Sequence, residues 1–225
     1  MTAGPGASRV PVTVVDYGAG NLVSIEQALV AAGAAVRRAG RADEIGEPAL
    51  LVVPGVGASA PAMERLRAGG FVTAILDWTA ADRPYLGICL GLQLLFDESE
   101  EDGARTLGVL RGRTVRLEGA PTLPHIGWNQ VERRRDHPAF AGIEAGADFY
   151  FVHSYAGAPD DASAVLAETE HGVRFPAAVA RGNLLGVQFH PERSGTDGLR
   201  LVANVVRAAA TATGLSAAGL PPEVA

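Results

Sequence analysis

The first strongly patterned stretch, Val10–Val15, is an apolar, β-branched run that reads as a buried strand. Gly18, Gly20 and Asn21 then form a turn, and Leu22–Ala32 reads as a helix ending before Gly33. Val36 and its neighbours predict a short second strand. Leu50–Val53 predicts a third, closed by Pro54-Gly55. Two helical segments follow at Ala60–Ala68 and Phe71–Ala80, then a fourth strand at Tyr85–Ile88 that runs straight into a helix at Leu90–Phe96. This alternation implies right-handed crossovers and an open, mostly parallel α/β sheet with helices on both faces. After Gly103 the texture changes to short strand candidates separated by turns: Thr106–Leu117, His125–Val131, Phe149–Val152, Ala164–Glu168, Ala177–Ala180 and Leu184–Phe189. These predict antiparallel additions to one side of the sheet, followed by a last helix at Leu199–Ala210. The expected organisation is an N-terminal extension at 1–9, one domain at 10–210 and a poorly ordered tail at 211–225. No internal repeat or interdomain linker is visible.

Composition narrows the function classes. The 225 residues, 48% of them hydrophobic, suit one sizeable core. A net charge of −6 argues against a nucleic-acid or anionic-membrane surface. No apolar run approaches the roughly eighteen residues of a membrane span, and Met1–Arg9 lacks a signal-peptide core. A cytoplasmic protein is expected. A single cysteine excludes an intrachain disulfide, and the five histidines are not spaced as a zinc motif. No metal or cofactor is expected. All 19 basic residues are arginine, which excludes Walker A, Schiff-base and kinase-type lysines.

The chemistry concentrates in two stretches. Gly87-Ile88-Cys89-Leu90-Gly91 has the form of a nucleophile elbow between a strand and a helix. Its glycines permit a tight, strained turn that lifts the sulfur above the sheet edge. The following helix aims its N-terminal dipole at that sulfur, favouring thiolate, and the Leu90 N–H is placed to stabilise an oxyanion. A lone cysteine is usually a small buried apolar residue, a reading that two flanking glycines at a strand–helix junction weaken. A thiolate nucleophile needs a base and a group that orients the base. Gln188-Phe189-His190-Pro191-Glu192 supplies both, with His190 and Glu192 projecting to one side of an extended segment. A His-Pro-Glu tripeptide alone more often marks a surface turn. At a strand terminus opposite a cysteine elbow it becomes specific, because groups at the carboxyl ends of strands converge on one crevice.

Gly87-Ile-Cys-Leu-Gly-Leu-Gln93 together with His190-Pro-Glu192 resembles the signature of the class I (triad) glutamine amidotransferases, and the resemblance spans residues 10 to 210. It implies a flavodoxin-like sheet and hydrolysis of glutamine through a thioester on Cys89, with Cys89, His190 and Glu192 as catalytic triad. Four further stretches are similar to the glutaminase subunits of imidazole glycerol phosphate synthases: Asp16-Tyr17-Gly18-Ala19-Gly20-Asn21, Pro54-Gly55-Val56-Gly57, Pro124-His125-Ile126-Gly127-Trp128-Asn129 and Tyr150-Phe151-Val152-His153-Ser154-Tyr155. By that resemblance Pro54–Gly57 completes the oxyanion hole, with the Val56 N–H as its second donor beside Leu90. Gly55, Gly57, Gln93, Glu101 and the Ser154 backbone match positions holding glutamine. Asn21, Trp128, Tyr150 and Arg193 match positions facing a separate (β/α)₈-barrel cyclase subunit, which would use the ammonia in histidine biosynthesis. At Arg193 the resembling family usually has lysine.

Other readings remain open at this level. The glutaminase of another pathway, such as anthranilate or aminodeoxychorismate synthesis, shares the triad; a cysteine hydrolase on a similar sheet shares the elbow; a catalytically dead regulatory module shares the fold. Gly18-Ala19-Gly20 opens like a dinucleotide fingerprint, but Val23 stands where the third glycine is required. Asp97–Asp102 reads as a solvated acidic face and Arg133–Arg135 as a charged turn. Trp128 and Tyr150 also read as core aromatics, and His153 as structural.

Overall fold

A computed structural model describes residues 9–216. The expected N-terminal extension (but for Arg9) and residues 217–225 of the expected tail lie outside the described residues. Strand β1 (Val10–Val15), helix α1 (Leu22–Ala31), β2 (Ala34–Ala39), β3 (Leu50–Gly55), α2 (Ser59–Ala68), α3 (Phe71–Ala80) and β4 (Tyr85–Cys89) form the N-terminal half. They are followed by a single turn α4 (Leu90–Gln93), β5 (Glu98–Ser99), β6 (Gly112–Arg116), β7 (His125–Arg133), β8 (Ala147–His153) and β9 (Tyr155–Pro159). The chain ends through β10 (Val165–Glu170), β11 (Arg174–Arg181), β12 (Leu184–Val187) and α5 (Gly195–Ala212).

The main sheet has the order β2-β1-β3-β4-β12-β11-β10-β7-β8. The first five strands are parallel, and β11, β10, β7 and β8 continue the sheet antiparallel. Alternation along the parallel strands explains why they are apolar throughout. Val12, Val14, Leu50, Val52, Leu86 and Ile88 face one core with α1 and α5. Val15, Leu51, Val53 and Tyr85 face the other, against α2 and α3.

Several elements depart from the sequence pattern. β3 does not stop at Pro54-Gly55 but runs through both, paired with Ile88 and Cys89. Pairing with β1 ends at Val52, so on that side no strand needs the N–H that Pro54 lacks. The helix expected to reach Phe96 ends at Gln93. The carbonyls of Leu94, Leu95 and Phe96 accept instead from Leu107, Leu110 and Gly108. The same contacts consume the first half of the expected Thr106–Leu117 strand. β5 and β9 were not foreseen; with β6 they form a separate three-stranded sheet. Glu100, Glu101 and Asp102 of the acidic run 97–102 are exposed, as a solvated face would be, but two of its carboxylates also hold backbone: Asp97 accepts from the Gly112 N–H at 3.0 Å, and Asp102 accepts from the Ala60 N–H at 2.6 Å, at the start of α2.

Candidate active site

β4 and α4 meet at Cys89, whose backbone sits at φ 53°, ψ −108°. This is a strained conformation for a residue with a side chain, and such residues gather at functional sites. Neither flanking glycine has positive φ; both are required for space. A Cβ on Gly91 would lie 1.8 Å from the Val53 carbonyl oxygen, and one on Gly87 would lie 2.6 Å from the Gly91 oxygen. The glycines thus let the turn press onto β3 and β4, while the strain falls on the cysteine itself. With α4 only four residues long, little macrodipole accumulates. The local contribution is the Leu90 N–H, which at the first position of the turn has no intrahelical acceptor.

His190 follows β12 from the neighbouring strand position. Its Nδ1 lies 2.8 Å from Glu192 Oε1, and the Glu192 side chain is only 2% exposed. The alignment differs in origin from the expected extended segment. His190 itself is extended, but Pro191–Arg193 is a 3₁₀ turn that brings the carboxylate back under the ring. Burial works against charging His190. Hydrogen bonding and charge from Cys89 and Glu192 outweigh it and lift the pKa from the usual 6.5 to about 10. The other ring nitrogen, Nε2, is buried. The shift favours the protonated ring.

A cavity of about 300 Å³ opens over Cys89, lined by Val56, Gly57, Leu90, Gln93, Glu101 and Ser154 among others. Sequence-distant candidates are thus brought to one place. Gly55 lies just behind the wall, with Tyr17 and Leu90 packed where its Cβ would be. Gln93 is buried, and its amide donates to the Tyr155 carbonyl at 2.8 Å and to Gln188 Oε1 at 3.1 Å. Gln188 in turn approaches the Cys89 sulfur at 3.7 Å. At the rim, burial and then the neighbouring Asp102 push the Glu101 carboxyl above its usual range. The Ser154 carbonyl is committed to the Leu117 N–H.

His153 also lines the cavity, a position the sequence pattern left as structural. Its tautomer follows from its partners. Nδ1 must donate to the Tyr155 carbonyl (2.8 Å), leaving Nε2 to accept from His125 Nδ1 (3.2 Å). His125 Nε2 then accepts from Asn129 Nδ2 (3.3 Å). Both rings are held neutral, burial lowering His125 to about 4 and His153 to about 3. Tyr155 and His153 were missed as wall residues, and Gln188 as a neighbour of the Cys89 sulfur, because only non-local pairing brings them there. The one local signal was that Gln188 precedes the His-Pro-Glu segment.

Of the residues expected to face a partner, Trp128, Tyr150 and Arg193 adjoin one another in a patch at the surface. Trp128 is 57% exposed, not a core aromatic, and stands cross-strand from Tyr150 with rings edge to face at 6.1 Å. The Arg193 guanidinium carbon lies 4.2 Å over the Tyr150 ring, a cation–π contact. Asn21 is exposed and donates to Ser24 Oγ. The patch is wired to the catalytic turn. The Tyr150 carbonyl accepts from the His190 N–H (2.8 Å), while Ser194 Oγ accepts from the Tyr150 N–H (2.9 Å) and donates to the His190 carbonyl (2.7 Å). Among the described residues, no His, Cys, Asp and Glu cluster is placed to hold a metal ion, and no helix is long and apolar enough to cross a membrane.

The family model for "Glutamine amidotransferase class-I" matches residues 13–209. Imidazole glycerol phosphate synthase subunit HisH of Halobacterium salinarum is 46% identical over 213 residues, covering 91% of this chain and 96% of that protein. The subunit of the same name from Symbiobacterium thermophilum is 47% identical over 194 residues, covering 86% and 92%. Among solved structures, PurLQS from Thermotoga maritima superposes with a TM-score of 0.70 at 20% identity, over 89% of this chain and 99% of that one, a likeness of fold alone.

Proposed function

Since the chain belongs to the class I glutamine amidotransferase family, we propose that it hydrolyses glutamine to glutamate and ammonia as the glutaminase subunit of an imidazole glycerol phosphate synthase, in histidine biosynthesis. The observation that carries the chemistry is the strained Cys89 on the wall of the cavity, together with a buried, hydrogen-bonded His190–Glu192 pair. Relatives of 42–47% identity carrying that subunit name support the pathway over anthranilate or aminodeoxychorismate synthesis. A cytoplasmic location accompanies this reading.

In the proposed mechanism the Cys89 thiolate adds to the side-chain amide carbon of glutamine. The oxygen that gains charge is met by the Leu90 N–H and, once the Gly55–Gly57 loop presents it, the Val56 N–H. His190 gives its Nε2 proton to the departing nitrogen, releasing ammonia and leaving a glutamyl thioester. The now neutral His190 takes a proton from water, whose oxygen attacks the thioester. Collapse frees glutamate and restores thiolate and imidazolium. Glu192 stays ionised and fixes the ring's orientation. Glu101 at the rim suits the substrate ammonium, and Gln93 with the Ser154 backbone supplies polar wall for the rest of the amino acid.

The patch of Trp128, Tyr150 and Arg193, together with the exposed Asn21, is proposed as the surface for a (β/α)₈-barrel cyclase, to which ammonia passes. Its hydrogen bonds to the His190 turn give partner binding a route to the site. The test is ammonia release from glutamine, measured with and without the cyclase subunit and its ligand. Glutamine turnover that depends on Cys89 and rises on adding the cyclase is expected. Turnover indifferent to that partner would overturn the assignment to this synthase.

A further inference from the structure

One buried polar group near the site takes no part in the mechanism above. Tyr17, in the turn after β1, is 6% exposed, and its hydroxyl has no hydrogen-bond partner among the described residues. Buried hydroxyls are nearly always paired, so an unpaired one marks either strain or a second state in which a partner arrives. Its position selects the second. A Cβ built on Gly55 would lie 2.1 Å from the Tyr17 oxygen and 3.1 Å from Leu90 Cβ, so the hydroxyl rests directly on the Gly55 backbone. The Tyr17 hydroxyl meets Gly55, and Tyr17 does not line the cavity over Cys89. Burial, reinforced by the nearby Cys89 charge, raises the phenol well above its usual range, so the group remains a proton donor.

The loop it underlies is built to turn over. Val56 is 46% exposed, and Gly57 has φ 94° with nothing within 4 Å of a Cβ position. In a planar peptide the N–H and the C=O point to opposite sides. When the Val56 N–H faces the cavity, the Gly55 carbonyl faces the side on which Tyr17 waits.

We propose that Tyr17 is a positioning residue for the oxyanion loop: its hydroxyl donates to the Gly55 carbonyl when the Gly55–Val56 peptide turns its N–H toward Cys89, holding the loop in its catalytic form. This rests on the reading of the Cys89 site given above. It also explains why position 55 must be glycine, since a Cβ there would occupy the hydroxyl's place.

The test is Tyr17→Phe in the full chain assembled with its cyclase. Glutamine turnover, ammonia-dependent synthesis and thermal unfolding of the isolated chain are measured beside the parent and Cys89→Ala. Loss of the loop contact should lower glutamine-dependent kcat about tenfold, equivalent to 1.36 kcal/mol. KM and ammonia-dependent synthesis should be little changed. The unfolding midpoint should hold or rise, because the resting state has no bond at this hydroxyl to lose. An unchanged kcat overturns the proposal, and so does a kcat loss matched by a lowered midpoint, the mark of a purely structural residue. Parent activity that survives in Cys89→Ala would instead overturn the underlying assignment of the site.

Discussion

Gly91→Ala puts the elbow geometry at risk without touching a reacting atom. The new Cβ would stand 1.8 Å from the Val53 oxygen and 2.9 Å from the Val53 carbon. That falls short of ordinary contact by roughly 1.5 Å, and both obstacles are backbone. β3 is fixed between β1 and β4, so the α4 turn must retreat, taking with it Leu90 and Leu92, each buried in the core below. Overpacking of this kind costs about 1–3 kcal/mol, and more where neither side yields. At this chain length each kcal/mol shifts the melting temperature by about 2–4 °C. A fall of about 2–12 °C is expected. The Leu90 N–H moves with the turn, and losing one oxyanion donor lowers kcat by about 10²–10³. Glutamine-dependent and ammonia-dependent synthesis should be compared in the assembled complex, with melting followed by circular dichroism. Gly40→Ala is the control, since its Cβ meets only Glu44 Oε2 at 3.5 Å. A Gly91→Ala chain that melts with the parent and turns over glutamine at the parent rate refutes the close seating of the turn on β3.

Cys89→Ala should abolish glutamine-dependent synthesis while ammonium salts still support the complex, because only the thioester chemistry is removed; residual glutamine use beyond a trace contradicts the nucleophile. The isolated chain should be nearly silent as a glutaminase, one missing oxyanion donor costing about 10²–10³, and full-rate turnover without the cyclase would oppose a gated loop. Stability should peak near neutral pH. His125 and His153, depressed from 6.5 to about 4 and about 3, contribute stability present above pH 6.5 and lost as pH falls toward those values. His190, raised to about 10, has the opposite sign: its contribution is full below pH 6.5 and is lost as pH rises through 10. Each group contributes a slope of up to about 1.4 kcal/mol per pH unit, and urea midpoints that stay flat from pH 5 to 10 would contradict it. Replacing Arg193 and a facing acidic residue of the cyclase by alanine, singly and together, should give non-additive losses of affinity and glutaminase stimulation; strict additivity means no pair exists.

The short-range pattern of this chain determined its parallel half. Apolar runs at Val10–Val15, Leu50–Val53 and Tyr85–Ile88, separated by helical periods, dictate strands buried on both faces, because only a sheet covered by helices accepts them. The elbow around Cys89 and the His-Pro-Glu segment were equally legible, since their chemistry requires particular residues at fixed spacing. The tertiary structure decided what depends on distant partners. The helix after Cys89 stops at Gln93 because a loop more than ten residues on takes its carbonyls. Glu192 reaches His190 through a 3₁₀ turn whose serine, Ser194, bonds the edge strand β8. Within the acidic run, Glu98 and Ser99 pair with β6 and the exposed Asp102 caps α2. The wall of His153 and Tyr155, the approach of Gln188 to the Cys89 sulfur and the unpaired hydroxyl of Tyr17 beneath Gly55 exist only once separate strands are side by side. Periodicity records which face a residue turns to the core. Hydrogen bonds between segments far apart in the chain leave no such local trace, and in this protein they shape the cavity around the cysteine.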